Sequence, residues 1–249
     1  MIVLAILRSL IASLLFIALT VILSSITIFL NFFSLPRPWV DRAICFWGES
    51  TLKLYGVEVL EKGRENIPKG ACLFLFNHTS FFDVFAMAAR LSGMRFGAKI
   101  ELFKIPFFGP AMRLAGVLPI SRAHREKVFK VYERAQQQVA DGQQFSLAPE
   151  GSRNTQEALL PFKAGPFIFA INAGLPIVPV IIKGAAKVYP KNAILPHWRS
   201  LKSTVTLEYL PVISVEPYTL ATRVQLQQQV FAQMSPHFGS GDKTASEIN

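Results

Sequence analysis

One imidazole and one carboxylate lie five residues apart in the segment Asn77-His78-Thr79-Ser80-Phe81-Phe82-Asp83. The segment directly follows the apolar run 71–76, which predicts a buried strand that ends in a polar turn. A histidine oriented by a carboxylate is a common general base, because the carboxylate fixes the tautomer of the ring. His78 and Asp83 are therefore a candidate catalytic pair. On these residues alone, it is equally reasonable that Asp83 caps the next helix and His78 is an ordinary turn residue.

A second polar turn follows the apolar run 145–148 and reads Pro149-Glu150-Gly151-Ser152-Arg153. Proline and glycine shape such turns, and the forked guanidinium of Arg153 suits a phosphate group. Ser152 lacks the Gly-x-Ser-x-Gly pattern of a serine nucleophile. Taken alone, a turn of this composition is more often structural than functional.

Two cations, Lys99 and Arg122, each follow a predicted strand. If the strands are parallel, their carboxyl ends meet at one edge of the sheet, where α/β proteins bind ligands. Both side chains are then candidates to hold an anionic headgroup beside His78. For any single Lys or Arg, solvated surface charge is the ordinary interpretation.

Short apolar runs alternate with segments of helical period from Val57 onward, a pattern typical of parallel strands joined by crossover helices. The predicted strands are 71–76, 95–99, 117–120, 145–148, 177–182 and 204–210, and the predicted helices are 81–91, 124–140, 164–173 and 219–234. The expected fold class is α/β, with a mixed, mostly parallel sheet flanked by helices.

The segment from Ser9 to Leu35 carries no charge and exceeds the roughly 20 residues that cross a bilayer as a helix. It predicts a membrane helix, and whether that helix spans the bilayer or lies embedded in one leaflet stays open. An amphipathic segment with two tryptophans follows at 39–55. We expect anchoring helices in residues 1–60, a catalytic domain in 61–235 and a disordered tail in 236–249.

The chain has a net charge of +10, and ten Lys/Arg against three Glu lie between Arg90 and Arg134. Such a face suits anionic lipids, phosphate-bearing substrates or an acidic carrier protein. Nucleic acid is a poor candidate, because the sequence shows no nucleic-acid-binding motif beside the charge. The two cysteines, Cys45 and Cys72, lie in apolar surroundings and are interpreted as core residues, with neither a metal site nor a disulfide expected.

Four blocks occur in a recognisable order. They are Asn77-His78-x-Ser80-x-x-Asp83, then Lys99-x-Glu101-Leu102 with 116–122, then Pro149-Glu150-Gly151-Ser152-Arg153 with Leu160-Pro161-Phe162-Lys163-x-Gly165, and then Leu175-Pro176-Ile177-Val178-Pro179-Val180. Over about residues 70–185 the chain resembles the glycerolipid acyltransferases, most closely the bacterial 1-acyl-glycerol-3-phosphate acyltransferases. It departs from them at Ser121, Ala148 and Ser152, where that family often has Asp, Phe and Thr.

The resemblance implies a membrane enzyme with a glycerol-3-phosphate acyltransferase-like fold. It would move an acyl group from acyl carrier protein or coenzyme A to lysophosphatidic acid, without a metal or a bound cofactor. His78 would be the base and Asp83 its orienting partner. Arg153, Arg122 and Lys99 would bind the phosphate, in a pocket shaped by Glu150, Gly151 and Ser152. The implied location is a bacterial inner membrane, with the catalytic domain on the cytoplasmic face.

Other functions remain open on the sequence. The acceptor could be another lysolipid, such as a lyso-ornithine lipid or a lysophospholipid without a terminal phosphate. A serine hydrolase that uses Ser80 or Ser152 with His78 is a different class of enzyme. A lipid-binding membrane protein without catalysis is the third reading.

Overall fold

The computed structural model describes residues 2–238 except 32, 34–35, 122–124, 140–141 and 157. Most of the expected tail, residues 239–249, therefore lies outside the described residues. The helices are α1 Ile2–Asn31, α2 Arg37–Leu54, α3 Phe82–Arg90, α4 Phe108–Leu114, α5 Arg125–Val139, α6 Gly165–Ala173, α7 Ala185–Val188 and α8 Arg223–Met234. The strands are β1 Val57–Lys62, β2 Leu73–Phe76, β3 Met94–Lys99, β4 Leu118–Ile120, β5 Gln144–Leu147, β6 Ile177–Lys183 and β7 Ser203–Tyr209.

Within the described part of the chain, seven strands form one sheet in the order β1-β7-β6-β2-β5-β3-β4. The five strands from β6 to β4 are mutually parallel, whereas β7 is antiparallel to β6 and β1 is parallel to β7. The predicted mixed, mostly parallel sheet is confirmed. Because β2 and β5 are neighbours, the turns that follow them leave the same edge of the sheet side by side.

The edge strand β1 was not among the predicted strands. Val57 and Val59 are buried on one face of the strand, while Glu58, Leu60 and Lys62 are exposed on the other, so only one face is buried. A single buried face produces a short alternating pattern instead of a continuous apolar run. Its pairing with β7, in which Val59 lies opposite Val205, joins segments that are far apart in the chain.

The sheet has a hydrophobic core on each face. Along β2, Phe74 and Phe76 pack into the core formed with α2, α3 and α7, while Leu73 and Leu75 pack into the core formed with α5, α6 and α8. A strand buried on both faces needs apolar residues at every position, which explains the unbroken run in β2. The central strand is therefore held rigidly where it enters the His78 turn.

Helix α1 packs along the globular part of the chain and does not project from it. Its contacting face is mostly small and polar: Ser9 bonds to the Pro196 carbonyl, Ser13 Oγ lies 2.8 Å from Tyr55 Oη, and Trp47 Nε1 donates to Thr20 Oγ1 over 2.9 Å. The exception is Phe16, whose ring packs against Trp47 and Phe85. The outward faces carry exposed Leu, Ile and Val. By length and composition alone α1 could cross a membrane.

The helix begins several residues before the predicted start at Ser9, because the charge of Arg8 is accommodated within it. The guanidinium donates to the carbonyl oxygens of Tyr55 over 2.9 Å, Ser200 over 2.8 Å and Leu201. A charge satisfied by hydrogen bonds is tolerated in an otherwise apolar helix. Arg8 therefore connects α1 to the globular domain.

Helices α2 and α3 approach closely at Gly48. A Cβ at this position would lie 2.9 Å from Ala89 N and from Phe85 O, both backbone atoms of α3. We expect Gly48→Ala to lower the free energy of unfolding by roughly 1–3 kcal/mol, because the helices must separate. Thermal unfolding in detergent measures the change.

Gly165→Ala is the matched control, since its added Cβ would meet Tyr132 at an ordinary 3.6 Å. Equal stability of the Gly48→Ala variant and the wild-type protein would show that the close approach of α2 and α3 is not required.

Candidate active site

The His78 ring and the Asp83 carboxylate are in direct contact in the turn between β2 and α3. His78 Nδ1 lies 2.9 Å from Asp83 Oδ2, and the same oxygen accepts the backbone N–H groups of Thr79 over 2.7 Å and Ser80 over 2.8 Å. Asp83 is fully buried, while the His78 side chain is 17% exposed. The carboxylate thus orders the turn and the ring together. It accepts from N–H groups that precede α3, so it stabilises the turn and does not cap the helix.

The contact decides which nitrogen of His78 is available for chemistry. A carboxylate oxygen accepts a hydrogen bond, so Nδ1 carries the proton and Nε2 keeps its lone pair. Among the described residues, no group bonds to Nε2. The arrangement suits a general base whose reactive nitrogen faces solvent or substrate.

Asn77 fixes the point where β2 enters the turn. Its amide donates to the Ile182 carbonyl over 2.9 Å and accepts the Ile182 N–H over 2.7 Å. The side chain therefore continues the ladder between β2 and β6 after the backbone of β2 has turned away. Asn77 is buried, so removing its amide would leave both Ile182 groups without partners in the core.

Glu150 lies beneath the His78 turn, with 2% of its surface exposed. Oε1 accepts the His78 N–H over 3.2 Å, and Oε2 accepts from Asn154 Nδ2 over 2.8 Å and from Leu160 N over 3.0 Å. Burial raises the pKa of Glu150, while these hydrogen bonds act in the opposite direction. A buried carboxylate bonded to three donors does not face an anion, so Glu150 can shape the predicted phosphate pocket only from beneath.

The Glu150 turn also holds the other side of the His78 backbone. Asn154 N donates to the His78 carbonyl over 2.6 Å, so residues from one turn bond both the N–H and the C=O of His78. Gly151 allows the turn to form by adopting a φ of 72°, a conformation that side chains disfavour. His78 is thus fixed by its backbone as well as by Asp83.

Arg153 places a cation on the same side of the sheet. Its guanidinium carbon lies 4.7 Å from the centre of the Phe81 ring, in the turn that carries His78. Across the described residues, no carboxylate lies within 4.0 Å of this guanidinium. The charge is available for an anionic ligand next to the histidine.

Lys99 ends β3, two strands away from β2. At about 4.8 Å per strand, its backbone is roughly 10 Å from that of Asn77. The side chain is 50% exposed and lies 3.8 Å from Glu101, without a contact to His78. Arg122, the other predicted cation, lies outside the described residues.

The two serines are not placed as nucleophiles. Ser80 is fully buried, where its hydroxyl donates to the Tyr189 carbonyl over 2.9 Å and accepts from Phe82 N over 3.2 Å. Ser152 makes no hydrogen bond to His78 within the described structure. The hydrolase alternative therefore finds no support in the geometry.

Sequence reasoning missed several residues that surround His78. Asn154, Tyr189 and Lys191 contact the two turns but belong to none of the predicted sets. Phe81 was quoted only as part of the motif. For Asn154, the one available signal was an amide side chain four residues after Glu150 in a turn rich in polar residues. Tyr189 and Lys191 follow the last motif and have no local pattern that marks them.

Residues 58–183 match the model of the family described as Acyltransferase, so this chain belongs to the acyltransferase family. It is 33% identical over 140 residues to 1-acyl-sn-glycerol-3-phosphate acyltransferase BAT2, chloroplastic, of Brassica napus, which covers 55% of this chain and 41% of that protein. It is 27% identical over 194 residues to the 1-acyl-sn-glycerol-3-phosphate acyltransferase of Haemophilus influenzae, and this match covers 76% of this chain and 78% of that protein. The matched region spans about two fifths of the length of the chloroplastic plant relatives.

The fold is also found in a solved structure. The 1-acyl-sn-glycerophosphate (LPA) acyltransferase PlsC from Thermotoga maritima superposes with a TM-score of 0.75 at 24% identity, over 91% of this chain and 92% of that chain. The arrangement of sheet and flanking helices described above is thus shared by a protein of low sequence identity.

The buried contacts of Glu150 yield a stability prediction. We expect Glu150→Gln to lower the free energy of unfolding by about 1–3 kcal/mol at pH 7, because one amide oxygen cannot serve three donors. Glu101→Gln, at an exposed position paired with Lys99, is the control and should leave stability unchanged. Urea unfolding in detergent measures both variants.

Comparison of the wild-type protein with Glu150→Gln at several pH values also tests the raised pKa of the Glu150 carboxyl. A carboxyl with a raised pKa in the folded state contributes stability below its ordinary pKa of about 4.3, and that contribution is lost as the pH rises through the raised value. The stability difference between the wild-type protein and Glu150→Gln should therefore shrink as the pH rises. A difference that grows with pH would contradict the assigned direction.

Proposed function

We propose that this chain transfers a fatty acyl group from an acyl thioester to the free sn-2 hydroxyl of 1-acyl-sn-glycerol 3-phosphate, giving phosphatidic acid in phospholipid biosynthesis. The observation that carries the proposal is the contact between His78 Nδ1 and Asp83, which leaves Nε2 free as a base. Arg153 supplies a cation in the neighbouring turn. The names of the acyltransferase relatives agree with this acceptor.

In the proposed reaction, His78 Nε2 takes the proton of the acceptor hydroxyl while that oxygen attacks the thioester carbonyl. Asp83 holds the ring and stabilises the imidazolium that forms. The tetrahedral intermediate then collapses, the C–S bond breaks, and the leaving thiolate receives the proton from the imidazolium. The step is direct, so it requires neither an acyl-enzyme nor a cofactor.

Backbone N–H groups would stabilise the oxyanion of the intermediate. The N–H groups of His78, Thr79, Ser80 and Phe82 are already bonded within the protein. Those of Phe81, Ser152 and Arg153 have no acceptor among the described residues. The Gly151–Arg153 turn thus offers two adjacent N–H groups as oxyanion donors, and the His78 turn offers one.

The phosphate of the acceptor would bind at Arg153, next to Gly151 and Ser152. Lys99 would act at a greater distance from His78, since β3 lies two strands from β2. Arg122 stays a predicted phosphate ligand. Glu150 would support this pocket from beneath by holding the backbone of His78.

We propose that the chain lies on one leaflet of a membrane and does not span it. The contacts of α1 with the globular domain run from Ala5 to Ser24, a length of about 30 Å at 1.5 Å per residue. A helix held against the domain over this length cannot cross the bilayer alone. Exposed Trp39, Ile105 and Phe107 extend the apolar surface beyond α1.

The proposed location is a bacterial inner membrane, with the catalytic domain on the cytoplasmic face. The proposed donor is acyl carrier protein or an acyl coenzyme A, both of which carry the thioester on a negatively charged partner. Basic side chains at Lys104, Arg113, Lys130 and Arg134 suit either donor. Nucleic acid is not a proposed partner.

Acyl transfer to 1-acyl-sn-glycerol 3-phosphate with each donor is the direct test. We expect His78→Ala and Asp83→Asn each to lower kcat by roughly 100-fold or more, because the first removes the base and the second removes the carboxylate that orients it. His237→Ala is the control, since His237 pairs with Glu208 on β7, away from the His78 turn. Wild-type turnover by folded His78→Ala protein would end this assignment.

A fluorophosphonate probe distinguishes direct transfer from a serine hydrolase. We expect no stoichiometric labelling of the wild-type protein, because the Ser80 hydroxyl is buried and bonded to Tyr189. Mass spectrometry of the treated protein is the measurement. Labelling of one serine that is lost in His78→Ala would favour the hydrolase.

A further inference from the structure

We propose that the segment after β6 completes the headgroup site, with Lys191 as a second cation for the phosphate and Tyr189 as part of the support that positions Arg153. The inference rests on the proposed function and assigns further residues to the recognition of its phosphate monoester. Neither residue lies in the four sequence blocks.

The segment is attached directly to the catalytic turn. The buried Ser80 hydroxyl donates to the Tyr189 carbonyl over 2.9 Å, and the Tyr189 ring stacks on Phe81 with the ring centres 6.4 Å apart and the planes at 25°. Arg153 covers Phe81 at 4.7 Å. The guanidinium and the two rings therefore form a layered stack, in which cation–π attraction holds Arg153 beside the turn that carries His78.

Lys191 brings a second positive charge to the same place. Its Nζ donates to the Arg153 carbonyl over 3.1 Å, which uses one of the three ammonium hydrogens. In the described part of the chain, neither Lys191 nor Arg153 has a carboxylate within 4.0 Å. The ammonium thus adds positive charge beside the backbone of the residue that carries the guanidinium, which favours an anionic ligand at this turn.

The number of cations indicates which phosphate fits. A phosphate monoester carries a charge of about −1.5 to −2 near neutral pH, because its second pKa is about 6. A phosphodiester carries one negative charge over its whole headgroup. A planar guanidinium and a flexible ammonium therefore suit the monoester better, since both can form charge-assisted hydrogen bonds to the terminal oxygens.

The test compares two acceptors with the same acyl chain, 1-acyl-glycerol 3-phosphate and 1-acyl-glycero-3-phosphoglycerol, using the full-length protein in detergent. We expect Lys191→Ala to raise the KM for the monoester about tenfold and to leave kcat within about twofold, because the ammonium binds the phosphate away from the reacting hydroxyl. The preference for the monoester should fall, and Lys191→Arg should restore much of it.

Lys187→Ala is the matched control, an exposed lysine on α7 four residues earlier. For the stack, Tyr189→Leu should raise the KM for the monoester, while Tyr189→Phe, which keeps the ring, should not. An unchanged KM and preference in Lys191→Ala, or the same change in Lys187→Ala, would overturn the proposal.

Binding of glycerol 3-phosphate, measured by calorimetry, separates this inference from the proposed reaction. The wild-type protein and Lys187→Ala should bind it, and Lys191→Ala should bind about tenfold more weakly. Wild-type protein that binds glycerol 3-phosphate but transfers no acyl group would overturn the proposed reaction and leave the role of Lys191 standing. Equal binding by the wild-type protein and Lys191→Ala would overturn the role of Lys191 and leave the proposed reaction standing.

Discussion

The buried carboxylate of Asp83 is the interaction on which the His78 turn depends. A carboxylate removed from water must be hydrogen-bonded, and Oδ2 accepts from two backbone N–H groups and from the His78 ring. The same three bonds fold residues 78–83 into one shape and leave Nε2 of the ring open. The contacts that order the turn are therefore the same contacts that orient the His78 ring.

The sheet extends this local order to the second turn. Because β2 and β5 are parallel neighbours, the segments that leave them run side by side, and Glu150 and Asn154 reach the backbone of His78. The Glu150 carboxylate faces inward while the Arg153 guanidinium, three residues later, faces the open side. One short turn thus separates a structural anion from a cation available to a ligand.

Helix α1 gives the domain an exposed apolar surface. Mostly small and polar residues line its inner face, where they contact α2 and the segment around Pro196. The large aliphatic side chains are left facing outward. That division of residues explains how one helix can have a composition typical of a membrane span and still pack against a globular domain.

Several features were predictable because they depend on residues close together in the chain. The apolar runs predicted six of the seven described strands to within a residue or two, and the five-residue spacing brought His78 and Asp83 together across a single turn. The order of four motifs identified the family. None of these steps required knowledge of which strands are neighbours.

The remaining features were decided by tertiary structure. The direction of the Glu150 side chain, the distance of Lys99 from His78 and the approach of Lys191 to Arg153 all depend on strand order and on packing between distant segments. The position of α1 depends on hydrogen bonds from Arg8 and Ser9 to residues near position 200. The sequence by itself determined six of the seven described strands, the pairing of His78 with Asp83 and the family. Only the fold decided which other side chains meet that pair, because local patterns predict elements but do not specify how those elements pack.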